Sequence, residues 1–173
     1  MRRTSIFALA VTLSWLLGAH TIWAQQKAND KEHAELAKAL KGVKTSLEKG
    51  LSTSESQGKP ISGKFEVEDG KLQLSVYTTK GDKFSEVIVD HKTGKIAKTE
   101  AITGGKDLTA AKAQSEAMAK AKLSLRAATE NAVKANKGFR AVSITPSLKD
   151  GHPVAEVTLV KGEEFKTVSE KLD

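Results

Sequence analysis

The sequence predicts an α+β fold made of two repeated units, each with one helix packed on an antiparallel meander of three to four strands. Three observations carry this prediction: an apolar stripe at helical spacing, segments in which apolar and polar residues alternate, and a match of the chain to a later part of itself. Alternation with a period of two is typical of half-buried strands, and spacing of three and four is typical of amphipathic helices. A helix and a sheet that each bury one face give two packed layers around one core.

The match of the chain to itself is densest between residues 69–90 and 150–171, where seven of 22 positions are identical without a gap. The segment KGDKF at 80–84 returns as KGEEF at 161–165. We call two residues counterparts when they are 81 positions apart, as Asp69 and Asp150 are. Because the turn and both flanking strands return together, we infer that a whole unit is duplicated.

A unit of about 70 residues is only marginally stable alone, so we expect the two units to pack together. The sequence leaves open whether they share one sheet.

Apolar residues before the first meander recur at steps of three and four: Leu36, Leu40, Val43, Leu47 and Leu51. This stripe predicts one amphipathic helix that begins after an N-cap at Asp30 and stops at Gly50. The counterparts of these apolar residues are small, mostly alanine. We therefore expect the second helix, from about Leu108 to Ala135, to lie closer to its sheet than the first.

Strand signals follow each predicted helix. In the first unit, Asp69-Gly70 joins two alternating segments, Lys80-Gly81-Asp82 leads to a third strand over 84–89, and a fourth covers 95–102. The second unit follows the same plan, and Pro146 inside its first strand predicts an edge strand or a bulge. One face of each meander should pack on the helix and the other should face water.

The N-terminus has the features of a secretory signal peptide. Arg2 and Arg3 precede an apolar segment at 6–17, and a small residue, Ala24, stands at the expected cleavage position. An uncleaved anchor is the alternative. We expect a periplasmic or secreted protein that does not span the membrane after cleavage. The predicted domains are the signal peptide, the first unit and the second unit, at residues 1–24, 25–103 and 104–173.

Composition narrows the class of partner. The 173 residues include 28 Lys and Arg against 21 Asp and Glu, a formal net charge of +7. The cations are interleaved with acids and only 5% of residues are aromatic, which disfavours a nucleic-acid binder. A basic patch for an acidic partner or an anionic surface is the alternative. The chain has no cysteine, so disulfide bonds and cysteine-bound zinc are excluded.

The segment EVIVDHKTGKI, residues 86–96, resembles the PepSY domain. The second unit is similar to the same family over residues 124–165, but its end, 169–173, lacks the Thr-Gly turn. The resemblance implies an extracytoplasmic binding module of the kind found in propeptides of thermolysin-like metallopeptidases and in exported bacterial proteins. It also implies a role in restraining peptidases, and it brings no catalytic residues.

The residues form no catalytic constellation, no cofactor motif and no metal-ligand spacing, so we predict a non-enzymatic protein with no cofactor and no metal site. His33, His91 and His152 are interpreted as exposed residues of a helix turn and two strand turns, and a shared metal site with nearby aspartates is the alternative. Gly104-Gly105-Lys106 lacks the spacing of a phosphate loop and is interpreted as a linker.

Two places are candidates for recognising a partner: an unpaired sheet edge and a flexible loop from Ser52 to Gly58. An ordinary edge and an ordinary loop are the alternatives. The predicted function is an exported non-catalytic binding protein that inhibits or modulates a peptidase of the cell envelope. The alternatives are a periplasmic small-ligand or metal-ion binding protein and a structural partner of an envelope complex.

Overall fold

The computed structural model describes residues 30–173. The predicted signal peptide, residues 1–24, lies outside the described residues. Residues His33–Asp173 form one compact unit, and the preceding unit, Met1–Glu32, has three described residues.

One seven-stranded antiparallel sheet runs through this compact unit. In chain order its strands are β1 (Lys59–Glu68), β2 (Lys71–Lys80), β3 (Lys83–Val89), β4 (Ile96–Ile102), β5 (Arg140–Lys149), β6 (His152–Lys161) and β7 (Glu164–Lys171). In space they lie in the order β4-β3-β2-β1-β5-β6-β7. The predicted mixture of helices with antiparallel meanders is confirmed, and the two meanders join through β1 and β5 into one sheet. That junction pairs Gly63 with Ile144 and Lys64 with Ser143.

Four α-helices occur among the described residues: α1 (30–39), α2 (Leu47–Ser54), α3 (Gly105–Lys120) and α4 (Leu125–Ala135). A 3-10 turn, Leu40–Gly42, follows α1. The prediction of one helix before each meander is wrong, because each meander is preceded by two. No helix in this part of the chain is both long and apolar enough to cross a membrane.

The break between α1 and α2 has a local cause and a distant one. Ser46 caps α2, since its hydroxyl accepts a hydrogen bond from the N–H of Lys49. The N–H groups of Lys44 and Thr45 both donate to the carbonyl of His91, in the turn between β3 and β4. These bonds hold the chain in a non-helical path between the two helices.

The break between α3 and α4 is built the same way. Ser124 caps α4 by accepting a hydrogen bond from the N–H of Ala127. The N–H groups of Lys122 and Leu123 both donate to the carbonyl of Leu172, which follows β7. Leu172 is the counterpart of His91, so the corresponding carbonyl serves both breaks.

Two predicted helix ends are misplaced. Gly50, predicted as a stop, lies inside α2, where an added Cβ would come within 2.6 Å of Leu74 Cδ2. Glycine is needed there because it allows α2 to approach β2 closely. Asp30, predicted as an N-cap, is the first described residue and is already helical.

Helices α2 and α3 lie on opposite faces of the sheet. A Cβ on Gly63 would be 3.2 Å from Leu51 and 3.3 Å from Leu47, so α2 covers the face of Gly63. The adjacent Ser62 points to the other face, where its hydroxyl donates to Gln114 Oε1 of α3 at 2.7 Å. The expectation that the second face meets only water is therefore wrong near β1.

The hydrophobic core includes the face covered by α2, which also packs against α4, and α3 adds Ala111 and Met118. The apolar side of the alternation in the two middle strands is buried at the strand centres: Leu74, Val76 and Thr78 in β2, and Ala155, Val157 and Leu159 in β6. The alternating pattern therefore identified the buried face of both strands correctly.

Corresponding features of the two halves of the sheet recur at counterpart positions. The first and last residues of β5 and β6 are the counterparts of those of β1 and β2, and β7 begins at the counterpart of the first residue of β3. The aspartate of the Asp-Gly turn has a positive φ in both halves, 49° at Asp69 and 52° at Asp150. The register shift in each first strand recurs as well: Pro60/Ser62 and Ala141/Ser143. Counterparts in these strands thus occupy corresponding places in the sheet.

Pro146 lies in β5, which is a central strand, so the prediction of an edge strand is wrong. The register shift in β5 lies earlier, between Ala141 and Ser143, so Pro146 does not mark a bulge either. A proline is tolerated here because the pairing of β5 with β1 covers Ser143 and Ile144 and ends before it.

Candidate functional site

Within residues 30–173, no strand pairs with the outer edge of β7 or of β4, because these strands lie at the two ends of the sheet. The corresponding edge in the first half belongs to β3, and there β4 pairs along it from Phe84↔Ile102 to Val89↔Ile96. An edge of this geometry therefore already accepts an antiparallel strand within this protein. The predicted unpaired edge exists, and β7 is the more informative of the two.

The backbone groups that β7 presents outward follow from its pairing with β6. Lys161 and Glu164 pair across a two-residue turn, so they and every second residue of β7 bond inward to β6. The bond from the N–H of Leu172 to the carbonyl of Pro153, at 3.0 Å, keeps this alternation. Four odd-numbered residues of β7 consequently direct their N–H and C=O groups away from the sheet: Phe165, Thr167, Ser169 and Lys171.

Side chains beside this edge are held in place. The ring of Phe165 stacks on His33 of α1 with 4.1 Å between ring centroids and 7° between planes. The ammonium of Lys166 lies 4.0 Å from the centroid of Phe139. Because these contacts fix both sides of β7 near its start, the edge is ordered before any partner strand arrives.

The second predicted recognition element, the loop from Ser52 to Gly58, is not a flexible loop in its first half. Helix α2 continues to Ser54, which is fully buried and whose hydroxyl donates to the carbonyl of Gly50. The hydroxyl of Thr53 donates to the carbonyl of Gly94 at 3.1 Å. The hydroxyls of Thr53 and Ser54 therefore bond to backbone carbonyl groups of this protein, and they are not free to donate to a partner.

The three histidines do not share a site. His33 stacks on Phe165, His91 lies in the turn after β3, and His152 pairs with the carboxylate of Asp173 at 2.9 Å. Residues 30–173 contain no group of three or more His, Cys, Asp and Glu side chains arranged to hold a metal ion. The metal-ion alternative therefore gains no geometric support from these residues.

The segment interpreted as a linker, Gly104-Gly105-Lys106, lies where β4 gives way to α3. Gly105 has a φ of 71°, which favours glycine at this turn into the helix. The predicted boundary between the units, after Thr103, falls in the same connection, and the division into two domains stays a prediction.

A cavity of about 300 Å³, the central cavity, lies on the second face of the sheet where β1 meets β5. Four hydroxyl groups line it, from Ser62, Tyr77, Ser143 and Thr145. Helix α3 adds Asp107 and Gln114, and β1 adds Lys64, which is ion-paired with Glu66. Hydroxyls, an amide and charges of both signs can hydrogen-bond a small polar molecule.

Sequence reasoning did not single out the residues of the central cavity. Ser143 is the counterpart of Ser62, and Thr145 is the counterpart of Lys64. The sequence therefore did contain an indication of this cavity, because the same two positions are polar in the first strand of each unit. That indication could not be used without knowing that β1 and β5 pair and that α3 crosses them.

Tyr77 in this cavity is held in its neutral form. Burial raises the pKa of Tyr77 above its ordinary value of 10.0, and the carboxylates of Glu86 and Glu66 raise it further. Asp107 and Glu68 contribute in the same direction. The cavity wall at Tyr77 therefore favours cationic or neutral groups over anionic ones.

We expect Tyr77, the single tyrosine of the chain, to stay protonated in the folded protein when the pH passes 10.0. Because its pKa is raised on folding, the unfolded chain releases the proton first, and stability falls as the pH rises above that value. Absorbance of the phenolate, recorded with circular dichroism across an alkaline titration, measures this. Ionisation should coincide with unfolding, whereas ionisation near the ordinary pKa with the fold intact would contradict it. Glu86→Gln should bring ionisation to lower pH.

Comparison of the sequence with known protein families gives no match, and comparison with curated proteins gives none. Among solved structures, the chain is similar to the crystal structure of a protein described as a "putative lipoprotein" from Clostridium difficile 630. The two share 10% sequence identity with a TM-score of 0.41, over 69% of this chain and 79% of that chain.

Proposed function

We propose that this chain is an exported, non-catalytic binding protein built from two PepSY-like units, and that the outer edge of β7 receives an extended segment of a cell-envelope peptidase. The single observation that carries the proposal is that β4 already pairs along the corresponding edge of β3. Strand addition at an open edge supplies affinity through main-chain hydrogen bonds.

The residues of the PepSY resemblance support this proposal, because they form the hairpin that covers β3. Glu86–Val89 belongs to β3, and the carboxylate of Asp90 then accepts hydrogen bonds from the N–H groups of Lys92 and Thr93. The bonds from Thr93 and Lys92 lower the pKa of Asp90. Among the described residues no strand follows β7, and its outer edge has no partner strand there.

The pairing of β4 with β3 gives the expected form of a bound segment. It runs antiparallel to β7, spans about seven residues, and bonds to the outward groups of Phe165, Thr167 and Ser169. Its side chains alternate between the two faces of the sheet, as those of β4 do. Occupying a peptidase segment in this way would hold the enzyme in one conformation, which is how a non-catalytic module can modulate activity.

Replacing Thr167 with proline should abolish binding of the peptidase and leave the fold intact, because its N–H faces outward and makes no bond to β6. Thr99→Pro is the matched control, since Thr99 is an exposed threonine of β4 whose pairing with Val87 leaves its N–H facing away from β3. Hydrolysis of a fluorogenic peptide by a panel of envelope peptidases, with parent and variant proteins added, measures the effect.

The parent protein should slow at least one peptidase, Thr99→Pro should act like the parent, and Thr167→Pro should have no effect. Undiminished activity of every peptidase in the panel would sink the inhibitory form of the proposal. Loss of inhibition in Thr99→Pro alone would move the site to β4. Unfolding curves of both variants must match that of the parent for the comparison to hold.

A second candidate function is binding of a small polar molecule in the central cavity, which its four hydroxyl groups favour. Titration calorimetry with pools of amino acids and sugars tests it. Heat that disappears in Ser143→Val but persists in Thr167→Pro would support this candidate over strand addition. An absence of heat from all pools would remove it.

A further inference from the structure

A second cavity, of about 360 Å³, lies between the end of α1 and the β6–β7 hairpin, and we name it the basic cavity. Three cations line it: Lys41, Arg140 and Lys161. Leu40 and Phe139 supply an apolar wall, and among residues 30–173 no aspartate or glutamate lines the cavity. The carboxylate of Glu48 lies close enough for its charge to act on Arg140, but it is outside the lining, which therefore combines positive charge with an apolar surface.

Aromatic rings are the partners of two of these cations, Lys161 and Arg140, and of the neighbouring Lys166. The ammonium of Lys166 lies 4.0 Å from the centroid of Phe139, and that of Lys161 lies 5.9 Å from it. Arg140 is half-buried, donates to the carbonyl of Thr45 at 3.4 Å and lies 5.5 Å over Phe65. Like charges held this close repel one another, and a ring quadrupole offsets only part of that cost.

The corresponding place in the first half of the chain has different chemistry. Gly58 is the counterpart of Phe139, and the cavity there is lined by Glu55 beside Lys59. Features that the fold itself required would recur in both halves, as the turns and register shifts do. The three cations have lysine counterparts, Lys122, Lys59 and Lys80, so the fold can account for their positions. The ring of Phe139 and a lining without a carboxylate occur at one of the two places, so stability of the fold does not explain that combination.

We propose that the basic cavity binds a small organic phosphate, with the phosphate held by Lys41, Lys161 and Arg140 and its apolar body packed on Phe139. A phosphate carries up to two negative charges, which suits three cations better than one carboxylate does, and a guanidinium can hold two of its oxygens at once. Gly138 and Gly162 lie at the rim, where Gly162 faces open space and the side chain of Lys161 packs beside Gly138, 3.5 Å from the position of a Cβ. The site adjoins the start of β7, where Lys166 contacts the ring of Phe139, but it does not involve the outward backbone groups of the β7 edge.

Nuclear magnetic resonance titration of the isotope-labelled protein tests the proposal with three probes: inorganic phosphate, phenyl phosphate and phenol. Phenyl phosphate should shift the amide signals of Gly138 and Gly162. It should bind about tenfold more tightly than inorganic phosphate, since part of its ring leaves water. Phenol should bind too weakly to shift them. No shift with phenyl phosphate, or an equal response to phenol, would overturn the proposal.

Variants separate this cavity from the general positive charge of the protein. The double variant Lys41→Ala with Lys161→Ala should weaken phenyl phosphate binding about tenfold or more, because two of three charge contacts are lost. The matched control is Lys80→Ala, at the counterpart of Lys161, and it should change binding less than about twofold. Equal binding by the double variant and the parent would refute the assignment. Phe139→Leu should bind inorganic phosphate normally and lose the preference for phenyl phosphate.

A phosphate can also be presented by a lipid, and a further arm distinguishes this source. Vesicles of phosphatidylglycerol that bind the parent and not the double variant would support the site and identify a lipid headgroup as its natural source. Vesicles that bind both proteins equally, without a response to phenyl phosphate, would show surface attraction only and overturn the proposal.

Discussion

Replacing Gly63 with isoleucine should lower the free energy of unfolding by about 3 kcal/mol, because the helix above it leaves no room for a side chain. A Cβ at this position would already lie 3.2 Å from Leu51 Cδ2 and 3.3 Å from Leu47 Cδ1, and both leucines are fully buried. Isoleucine is the better strand former, but that preference is worth only about 1 kcal/mol and does not offset the overlap.

The counterparts of these three residues show how the overlap can be relieved. Where the first half has Gly63 under Leu47 and Leu51, the second half has Ile144, Ala128 and Ala132, and all three are fully buried. The large side chains are thus on the helix in the first half and on the strand in the second half. The triple variant Gly63→Ile, Leu47→Ala, Leu51→Ala should therefore be more stable than the sum of its single changes predicts.

Urea unfolding of the single variants and the triple variant measures this compensation. Each leucine-to-alanine change alone should cost about 2–5 kcal/mol, since it leaves a cavity. The coupling in the triple variant should recover about 0.5–3 kcal/mol, the range found for residues in contact. Additive costs would show that Gly63 does not share its space with these leucines, and the equivalence of the two packing arrangements would fall.

The strands and turns could be predicted from the sequence because their signals are local. Asp69-Gly70 and Asp150-Gly151 mark turns in any context where the backbone must adopt a positive φ, and alternation marks the buried face. The match of the chain to itself also predicted which residues of the two halves correspond, since the same turns and strands occur in both at a constant offset. These features need no knowledge of which elements meet.

The helices were harder because their break depends on contacts that are distant in sequence. Leu40 and Leu47 continue one stripe at helical spacing, yet they belong to different segments. The cap at Ser46 is a local signal that could have been used. The hydrogen bonds from Lys44 and Thr45 to the carbonyl of His91 could not, since they require β3 and β4 to be in place.

The same reason separates the predicted site from the residues that were missed. An open edge was expected from any sheet, but which strand carries it depends on the pairing of β1 with β5. The basic cavity brings Lys41 together with Lys161, although the first lies before the sheet begins and the second ends its sixth strand. In the sequence the cations are evenly spread, and among the four residues proposed to hold the ligand only Phe139 and Arg140 are adjacent.

Cutting the chain between Thr103 and Gly104 should leave two halves that do not fold separately, because the central contacts cross the cut. Helix α3 of the second half packs on β1 and β2 of the first, and α2 packs on α4. Lys59 donates to the carbonyl of Met118 at 2.8 Å, and its counterpart Arg140 donates to the carbonyl of Thr45. Each half alone would expose the core that these contacts bury, and a chain of about 70 residues has little stability to spare.

Circular dichroism and amide spectra of the two fragments, alone and mixed in equal amounts, measure this dependence. Each fragment alone should give poorly dispersed signals and no cooperative unfolding, and the mixture should regain the dispersion of the intact protein. The intact chain with Lys59→Met and Arg140→Met is the control, and it should stay folded with reduced stability. Cooperative unfolding of either fragment alone would mean that the predicted boundary separates true domains, and that the shared sheet joins two units that were already stable.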